Sequence, residues 1–311
     1  MLRYVGKRLL MLLPILVGVT FLVYAIMALT PGDPALRKLG TDATPEALEQ
    51  LREEMGLNKS LVERYVSWLW NIVTKFDFGE SWRTGNSVFS DVLPRIPISM
   101  KVTIVAVILS ALMGIPMGVF SAIKQNSLAD NAIRVLSTVM VALPTFWFAM
   151  LLLLLFALYL GWLPAGGADS WKHFVLPIAT VALRGSSTIS RMTRTTMLEA
   201  IREDYVRTAR AKGVPQRVVT YKHSLKNALL PVITSIGASF GTTLGGCIIG
   251  ESVFNMPGLG SLIVLSIRTK DIPTMLACVI ILAVWFALIM LAVDLVYAFI
   301  DPRIKAKYAK R

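Results

Sequence analysis

The amino-acid sequence predicts an all-α polytopic membrane protein with six transmembrane helices. Of its 311 residues, 55% are hydrophobic and only 16% are charged, with a mean hydropathy of +0.64. This composition is too apolar for an ordinary soluble domain. Five segments are apolar over the roughly 20 residues that a helix needs to cross the hydrocarbon layer. The basic residues collect at the ends of these segments, as they do beside membrane spans.

The five apolar segments are Leu9–Leu29, Val102–Ile123, Val135–Leu163, Ala228–Gly250 and Met275–Val293. The first is longer than the core of a signal peptide and lacks a small-residue cleavage site, so we predict a retained span. A sixth segment, Phe174–Ser190, is short and contains Arg184. It is counted because the charged segment after it and the C-terminus would otherwise fall on opposite sides of the membrane.

The charge distribution predicts that both termini are cytoplasmic. The four predicted inner segments, 1–8, 124–134, 191–227 and 301–311, each carry a net positive charge. The predicted outer segment 30–99 has eight basic and ten acidic residues, and the outer segments 164–173 and 251–273 are neutral. This arrangement satisfies the positive-inside rule. We therefore predict a core at 100–300 that holds five helices.

The insertion at 30–99 follows the first span and is predicted to be extracytoplasmic. A helix is expected over Pro45–Gly56, with Thr44 as N-cap and Pro45 at the first position. A second amphipathic helix is expected over Ser60–Val73. Seventy residues can build a small cap over the spans but hardly an independent domain. A structural cap and a docking surface for an external protein are both open, and they are compatible.

Several classes of function are excluded by what the sequence lacks. The net charge of +13 could suggest nucleic acid, but no zinc-ligand cluster or aromatic-rich RNA motif accompanies it. We find no P-loop, GxSxG, HExxH or CxxC sequence, and therefore predict no catalytic residue, metal or cofactor in this chain. His173 and His223 fall on opposite sides of the predicted membrane, which argues against a shared metal. Cys247 and Cys278 are predicted to be buried free thiols.

The segment 191–227 combines nine basic and three acidic residues with an amphipathic helix. Its apolar residues recur at helical spacing, at Met197, Leu198, Ile201, Tyr205 and Ala209. Gly213 ends this helix, Pro215 prevents its return, and a second helix is expected over Gln216–Asn227. The resulting elbow could insert into a cytoplasmic partner, or it could be a basic loop that touches only anionic lipid headgroups.

The segment from Ala200 to Ile233 resembles the EAA-type cytoplasmic loop of ABC importer permeases, in particular the peptide/nickel branch. Seven further motifs of that branch occur in the same order along the chain. They are the start MLRYVGKRLL, TPGDP at Thr30–Pro34, Met55–Leu69, FDFGES at Phe76–Ser81, LPTFWFA at Leu143–Ala149, Glu251–Leu262 and Val293–Ile304.

The resemblance implies that the elbow carries a coupling helix that docks on a separate ATPase subunit. The implied coupling residues are Glu199, Glu203, Asp204, Tyr205, Ala209, Arg210, Ala211 and Gly213. One departure concerns the acidic position, because counting back eight residues from Gly213 reaches Tyr205 rather than a glutamate. Ala209 and Gly213 therefore carry over more directly than either glutamate.

The resemblance also implies the partners and the cellular location. These are a second related permease, two ATPase subunits that use ATP and magnesium, an external binding protein, and the inner membrane of a bacterium or archaeon. The implied cargo is a di- or oligopeptide. Nickel or a metal–chelator complex is an alternative within the same branch, and a membrane scaffold or sensor is an alternative of another class.

Polar residues inside the predicted spans are candidates for the translocation path. They are Ser110, Ser137, Thr138, Ser186, Ser187 and Thr242. Helix–helix packing is the competing interpretation, because small and hydroxyl residues are common at helix contacts in membranes. The weak fourth span is expected to face protein or a water-filled path. Arg184 and Asp294 are intramembrane charges, which tend to be paired or functional.

Overall fold

The computed structural model describes residues 2–40 and 43–300, with only the backbone described at 2–5, 7–9, 12, 37 and 294–300. The described residues are mostly helical and form no β-strand, which confirms the all-α class. The helices are α1 Leu2–Leu29, α2 Pro34–Leu39, α3 Pro45–Glu54, α4 Leu61–Lys75, α5 Val88–Val92, α6 Ile96–Ile123, α7 Leu128–Ala142, α8 Thr145–Leu152, α9 Lys172–Arg202, α10 Asp204–Ala211, α11 Gln216–Val218, α12 Leu225–Val253, α13 Leu259–Thr269 and α14 Ile272–Ile300. The predicted cytoplasmic C-terminus at 301–311 and the side chain of Asp294 lie outside the described residues.

Among the described residues, three continuous helical stretches are long and apolar enough to cross a membrane. They are Val88–Ile123, Gln216–Val253 and Ile272–Val293, with mean hydropathies of 2.3, 1.5 and 3.0 over their best windows. A fourth span is possible if the bent pair α7 and α8 counts as one. In α1 the described apolar part is Leu13–Leu29, which is shorter, and α9 carries Arg184, Arg191 and Arg194. The structure thus shows several apolar spans, and six remains a prediction.

The predicted third span is not one straight helix. The chain bends by 103° between α7 and α8, around Leu143 and Pro144. Leu143 has extended backbone (φ −66°, ψ 132°), because a following proline disfavours the helical conformation. The break frees the Leu143 carbonyl, and Arg184 Nη1 on α9 donates to it at 2.7 Å. The membrane arginine therefore satisfies a backbone acceptor at the bend.

Residues 2–99 and 257–287 form one compact unit. Thr44 caps α3, and Ser60 forms a capping box with Glu63 at the start of α4, as local sequence predicts. Tyr65 on α4 bonds Thr20 at 2.7 Å and the Val17 carbonyl at 2.9 Å, both on α1. These contacts join the insertion to the first helix of the chain.

The turn between α13 and α14 binds the insertion at two points. Lys270 Nζ donates to the carbonyls of Thr30 and Gly32, the latter at 2.6 Å. The Asp271 carboxylate is buried and accepts from the Ser81 hydroxyl at 2.5 Å and the Trp82 backbone N–H at 3.0 Å. Because these partners are remote in sequence, the insertion is held by tertiary contacts.

Residues 100–256 belong to the second unit, together with residues 288–300. Within this unit α6 and α9 approach closely along two glycines. A Cβ on Gly114 would lie 2.6 Å from the Ser186 carbonyl oxygen, and one on Gly118 would lie 2.5 Å from Thr193 Cβ. The four-residue spacing of these glycines on α6 is the small-residue pattern that lets membrane helices pack backbone to backbone.

We expect Gly118→Leu to destabilise the protein strongly. Its side chain would meet the α9 backbone and force the two helices apart, which costs at least about 1–3 kcal/mol in a packed core. Thermal unfolding in detergent, followed by the loss of monodisperse protein, measures the effect. Gly18→Ala is the matched control, because no atom lies within 4 Å of a Cβ at Gly18. Equal melting temperatures for the two variants would contradict this packing.

Candidate functional site

The charged segment begins as a continuation of a membrane helix. Helix α9 runs past the predicted membrane end at Ser190 as far as Arg202. Glu203 then adopts extended backbone (φ −67°, ψ 148°), and α10 starts at Asp204. The predicted single helix is therefore two helices with a corner at Glu203. We use the name elbow for residues 203–218, which comprise this corner, α10, the following turn and α11.

The second corner of the elbow is a glycine-closed helix end. Gly213 has φ +72°, its N–H donates to the Arg210 carbonyl at 2.9 Å, and the Val214 N–H donates to the Ala209 carbonyl at 3.2 Å. This pair of bonds is the Schellman motif, in which glycine supplies the left-handed residue. Pro215 precedes α11, whose helical path continues through a π-helical turn at Val219–Ser224 into α12. The predicted separate helix Gln216–Asn227 is thus the start of a membrane helix.

A small apolar cluster stabilises the elbow from inside. Val206, Ala209 and Val219 are buried, and Val214 packs against them. Tyr205, predicted to lie on the apolar stripe with Ala209, does not join this cluster, because its side chain is 39% exposed. The corner at Glu203 restarts the helical phase, so Val206 takes the inward position that a continuous helix would give to Tyr205.

Most of the other implied coupling residues are exposed. Glu199, Glu203, Asp204, Arg210, Ala211 and Gly213 are all exposed, while Ala209 is buried. Asp204 pairs with Arg207 at 3.7 Å, in place of the Glu203–Arg207 pair that a continuous helix would place in register. The elbow therefore presents a mixed, strongly charged outer face around a small apolar anchor.

The end of α9 that leads into the elbow is packed against two other membrane helices. Met197 and Ala200 on α9 cluster with Val119 and Ala122 on α6 and with Ala228 on α12. Because this end of α9 leads directly into the elbow, a displacement of the elbow would also move the packed ends of α6 and α12.

A buried ion pair fixes α9 just before the elbow. Arg194 donates from Nε and Nη2 to the two carboxylate oxygens of Asp130, both at 2.8 Å. The Asp130 side chain has no exposed surface, and it also accepts from the Ser121 hydroxyl and from the Asn126 backbone N–H at 2.9 Å. Bidentate geometry with all acceptors used is the arrangement in which a buried pair is held firmly. The network joins α6, α7 and α9.

The candidate path residues separate into two groups. Ser110, Ser137, Ser186 and Ser187 are buried within the chain, whereas Thr138 and Thr242 are exposed. Ser110 donates to the Ala106 carbonyl at 2.7 Å and to the Ala182 carbonyl of α9 at 3.1 Å, so it serves the α6–α9 contact. Ser186 and Ser187 donate to the carbonyl of Leu183. Thr242 belongs to an exposed face of α12 that also carries Thr234, Ala238 and Gly245.

Comparison with known proteins decides the family. The family model described as binding-protein-dependent transport system inner membrane component matches residues 114–306, and the model for the N-terminal part of such components matches residues 1–103. The chain belongs to this family. The protein is therefore a multi-pass inner-membrane permease subunit of an ABC importer, and not an enzyme. Its family name implies a transport system that depends on a binding protein.

Relatives of this permease match it over nearly its whole length. The dipeptide transport system permease protein DppB of Alkalihalophilus pseudofirmus is 39% identical, over 98% of this chain and 100% of the relative. The glutathione transport system permease protein GsiC of Escherichia coli K12 is 38% identical, over 99% of this chain and 100% of the relative. The inward-facing MetNI methionine ABC transporter is similar in fold, with a TM-score of 0.56, 18% identity, and 67% of this chain and 95% of that chain covered.

The buried Asp130–Arg194 pair of the permease was missed from sequence. The predicted free thiols Cys247 and Cys278 are indeed buried, and the described residues contain no cluster of three or more metal-binding side chains. The Asp130–Arg194 pair was not predicted, because its members are 64 positions apart and no local pattern links them. The sequence offered only a weak indication, because Asp130 is an acidic residue near the predicted inner end of a span, where basic residues dominate.

Proposed function

We propose that this permease imports short peptides that an external binding protein delivers. The observation that carries the proposal is the full-length similarity to two permeases named for dipeptide and glutathione transport, since glutathione is itself a tripeptide. The alternatives of nickel or metal-complex import, and of a scaffold without transport, have no comparable support among these relatives. Magnesium and ATP would be used by partner ATPases, with no cofactor in this chain.

The elbow is the proposed docking element for an ATPase subunit. Its outer face offers Asp204, Tyr205, Arg210 and Ala211 to a groove, and the buried Val206–Ala209–Val219 cluster keeps that face in shape. Because the end of α9 that leads into the elbow packs on α6 and α12, a push on the elbow would be transmitted to these helices. Rigid-body displacement of packed helices is the usual means by which such a push becomes a change of access.

The exposed face of α12 is the proposed wall of the path. Thr234, Ala238, Thr242 and Gly245 recur at helical spacing, and hydroxyl groups on a lipid-facing helix would be unusual. A second permease subunit would cover this face and complete the path, with Thr138 of α7 as a further candidate. We propose that this subunit is a second, related permease and not another copy of this chain, as the resemblance implies.

The proposal is tested with the purified transport complex in liposomes. We expect ATP-dependent accumulation of a labelled dipeptide in the presence of its binding protein, with competition by other short peptides and none by nickel salts. Accumulation of nickel or of a metal–chelator complex, with no uptake of dipeptide, would contradict the proposal. A complex without the binding protein serves as the control for leak.

The proposed orientation has both termini and the elbow inside and the insertion outside. A cysteine replacing Glu46, which is exposed on α3, should react with a membrane-impermeant thiol reagent in intact cells. A cysteine replacing Lys222, which is exposed before α12, should react only after the membrane is opened. Cys247 and Cys278 give little background because both are buried. The opposite pattern of labelling would contradict this topology.

A further inference from the structure

The unit of residues 2–99 and 257–287 contains a cavity to which the proposed function assigns no role. Its volume is about 510 Å³, within the range of roughly 300–1,000 Å³ that is usual for small-ligand sites. The walls come from α1, α4, the segment 78–82 and the first turns of α14. All of these elements belong to one compact unit.

Hydrogen bonds and an aromatic contact hold the elements that line the cavity in place. Ser81 and Trp82, which line it, are fixed by the buried carboxylate of Asp271. Helix α4 is fixed to α1 by Tyr65, whose ring packs on Phe21 with centroids 5.2 Å apart. The walls are therefore set by tertiary contacts before any ligand arrives, which lowers the cost of ordering on binding.

One wall carries a cation without a counter-ion. The Arg64 guanidinium lies over the Tyr24 ring, 5.9 Å from its centroid, and Arg64 forms no ion pair with the described residues. Among the described residues, the Arg64 Nε–H has no acceptor, and neither has the buried Nε1–H of Trp68, one turn further along α4. Buried donors and charges are normally paired, so this wall lacks the acceptor that a carboxylate would supply.

The cavity also carries acids that could hold an ammonium group. Glu54 and Glu80 line it together with Lys38 and Lys59. Among the described residues, no ion pair joins any two of these four side chains. Between the charges lie apolar and aromatic surfaces, from Tyr24, Trp68, Phe78, Trp82 and Leu276. Charges of both signs that stay unpaired around an aromatic space match a zwitterion with side chains of its own.

We propose that this cavity binds a free short peptide, with the peptide carboxylate beside Arg64 and its ammonium group beside Glu80. The proposal rests on the proposed function, because it takes the same class of substrate. A concave site of this volume suits a small molecule better than a protein surface, so a free peptide is the occupant to which we commit. The site would hold peptide within the unit of residues 2–99 and 257–287.

The test uses the intact transport complex in lipid nanodiscs, without its binding protein. Equilibrium binding is measured for glycyl-leucine, its C-terminal amide and its N-acetyl derivative. We expect Arg64→Met to weaken glycyl-leucine binding by about tenfold or more, the usual effect of losing a charge-assisted contact, and to leave amide binding nearly unchanged. Glu80→Gln should weaken glycyl-leucine and leave the N-acetyl derivative nearly unchanged.

Controls separate this site from a structural effect and from the proposed function. Arg83→Met removes an exposed neighbouring arginine that does not line the cavity and should bind glycyl-leucine normally. Equal binding by wild type, Arg64→Met and Glu80→Gln overturns the proposal, as does an equal loss of acid and amide binding. Normal dipeptide uptake alongside that result leaves the proposed function standing. Charge-dependent binding without any dipeptide uptake supports the cavity and contradicts the proposed function instead.

Discussion

We expect Gly213→Val to uncouple ATP hydrolysis by the partner subunits from uptake while leaving the permease inserted in the membrane. Valine at φ +72° is strained by its branched side chain, whereas glycine adopts this conformation freely. No atom lies within 4 Å of a Cβ at this position, so the effect comes from the backbone and not from a clash. The strain, about 1–2 kcal/mol or more, opposes the Schellman closure and shifts the turn that ends α10. We expect dipeptide uptake to fall at least about tenfold in proteoliposomes, with basal ATPase activity retained.

The control for this prediction keeps the backbone and changes the side chain. Asparagine tolerates the left-handed conformation better than other non-glycine residues, so Gly213→Asn should retain most of the uptake. Insertion and assembly of both variants are checked by co-purification of the ATPase subunits. Normal uptake by Gly213→Val would remove the turn from the coupling mechanism. A Gly213→Asn variant as defective as the valine variant would show that bulk, and not φ, is the limiting factor.

Asp130→Ala is expected to give the largest loss of stability. The substitution leaves Arg194 with its guanidinium largely enclosed, at 18% side-chain exposure, and without its carboxylate. Breaking a buried ion pair from one side costs about 3–5 kcal/mol, because the remaining charge stays desolvated. The Ser121 hydroxyl and the Asn126 N–H lose their acceptor as well. We expect a marked fall in the melting temperature of the purified permease.

The control pair for this experiment lies on the elbow itself. Asp204 and Arg207 pair at 3.7 Å with side-chain exposures of 98% and 76%, so Asp204→Ala should leave the melting temperature nearly unchanged. The double variant Asp130→Ala/Arg194→Ala should be less damaged than the sum of the single variants, because the uncompensated charge is gone. Additive losses would mean that the two residues act independently, contrary to the bidentate geometry.

Local signals account for the parts of the fold that the sequence predicted correctly. Thr44 and Ser60 cap helices through bonds to residues three positions away, and Gly213 closes α10 through bonds within the same turn. The same holds for the family, since its motifs are contiguous stretches of chain. The corner at Glu203 was missed because no glycine or proline marks it.

Side-chain burial at the candidate site could not be predicted in the same way. Ser110 and Thr242 are both hydroxyl residues in apolar helices, but Ser110 packs on α9 while Thr242 is exposed. Which of them faces another helix depends on how the helices rotate when they pack, and hydropathy carries no record of that rotation. The bend at Pro144 makes burial harder to predict, because it divides an apolar stretch whose length and hydropathy predict a single span.

The sequence by itself determined the all-α membrane class, the helix caps, the glycine turn of the elbow and the permease family. These depend on composition and on interactions between neighbouring residues, which a linear pattern preserves. Only the tertiary structure decided that Arg194 meets Asp130, that Asp271 holds Ser81, and that Arg64 lines a cavity without a counter-ion. Such contacts join positions far apart in the chain. They are selected by the packing of whole helices, which minimises unpaired polar groups and voids across the fold.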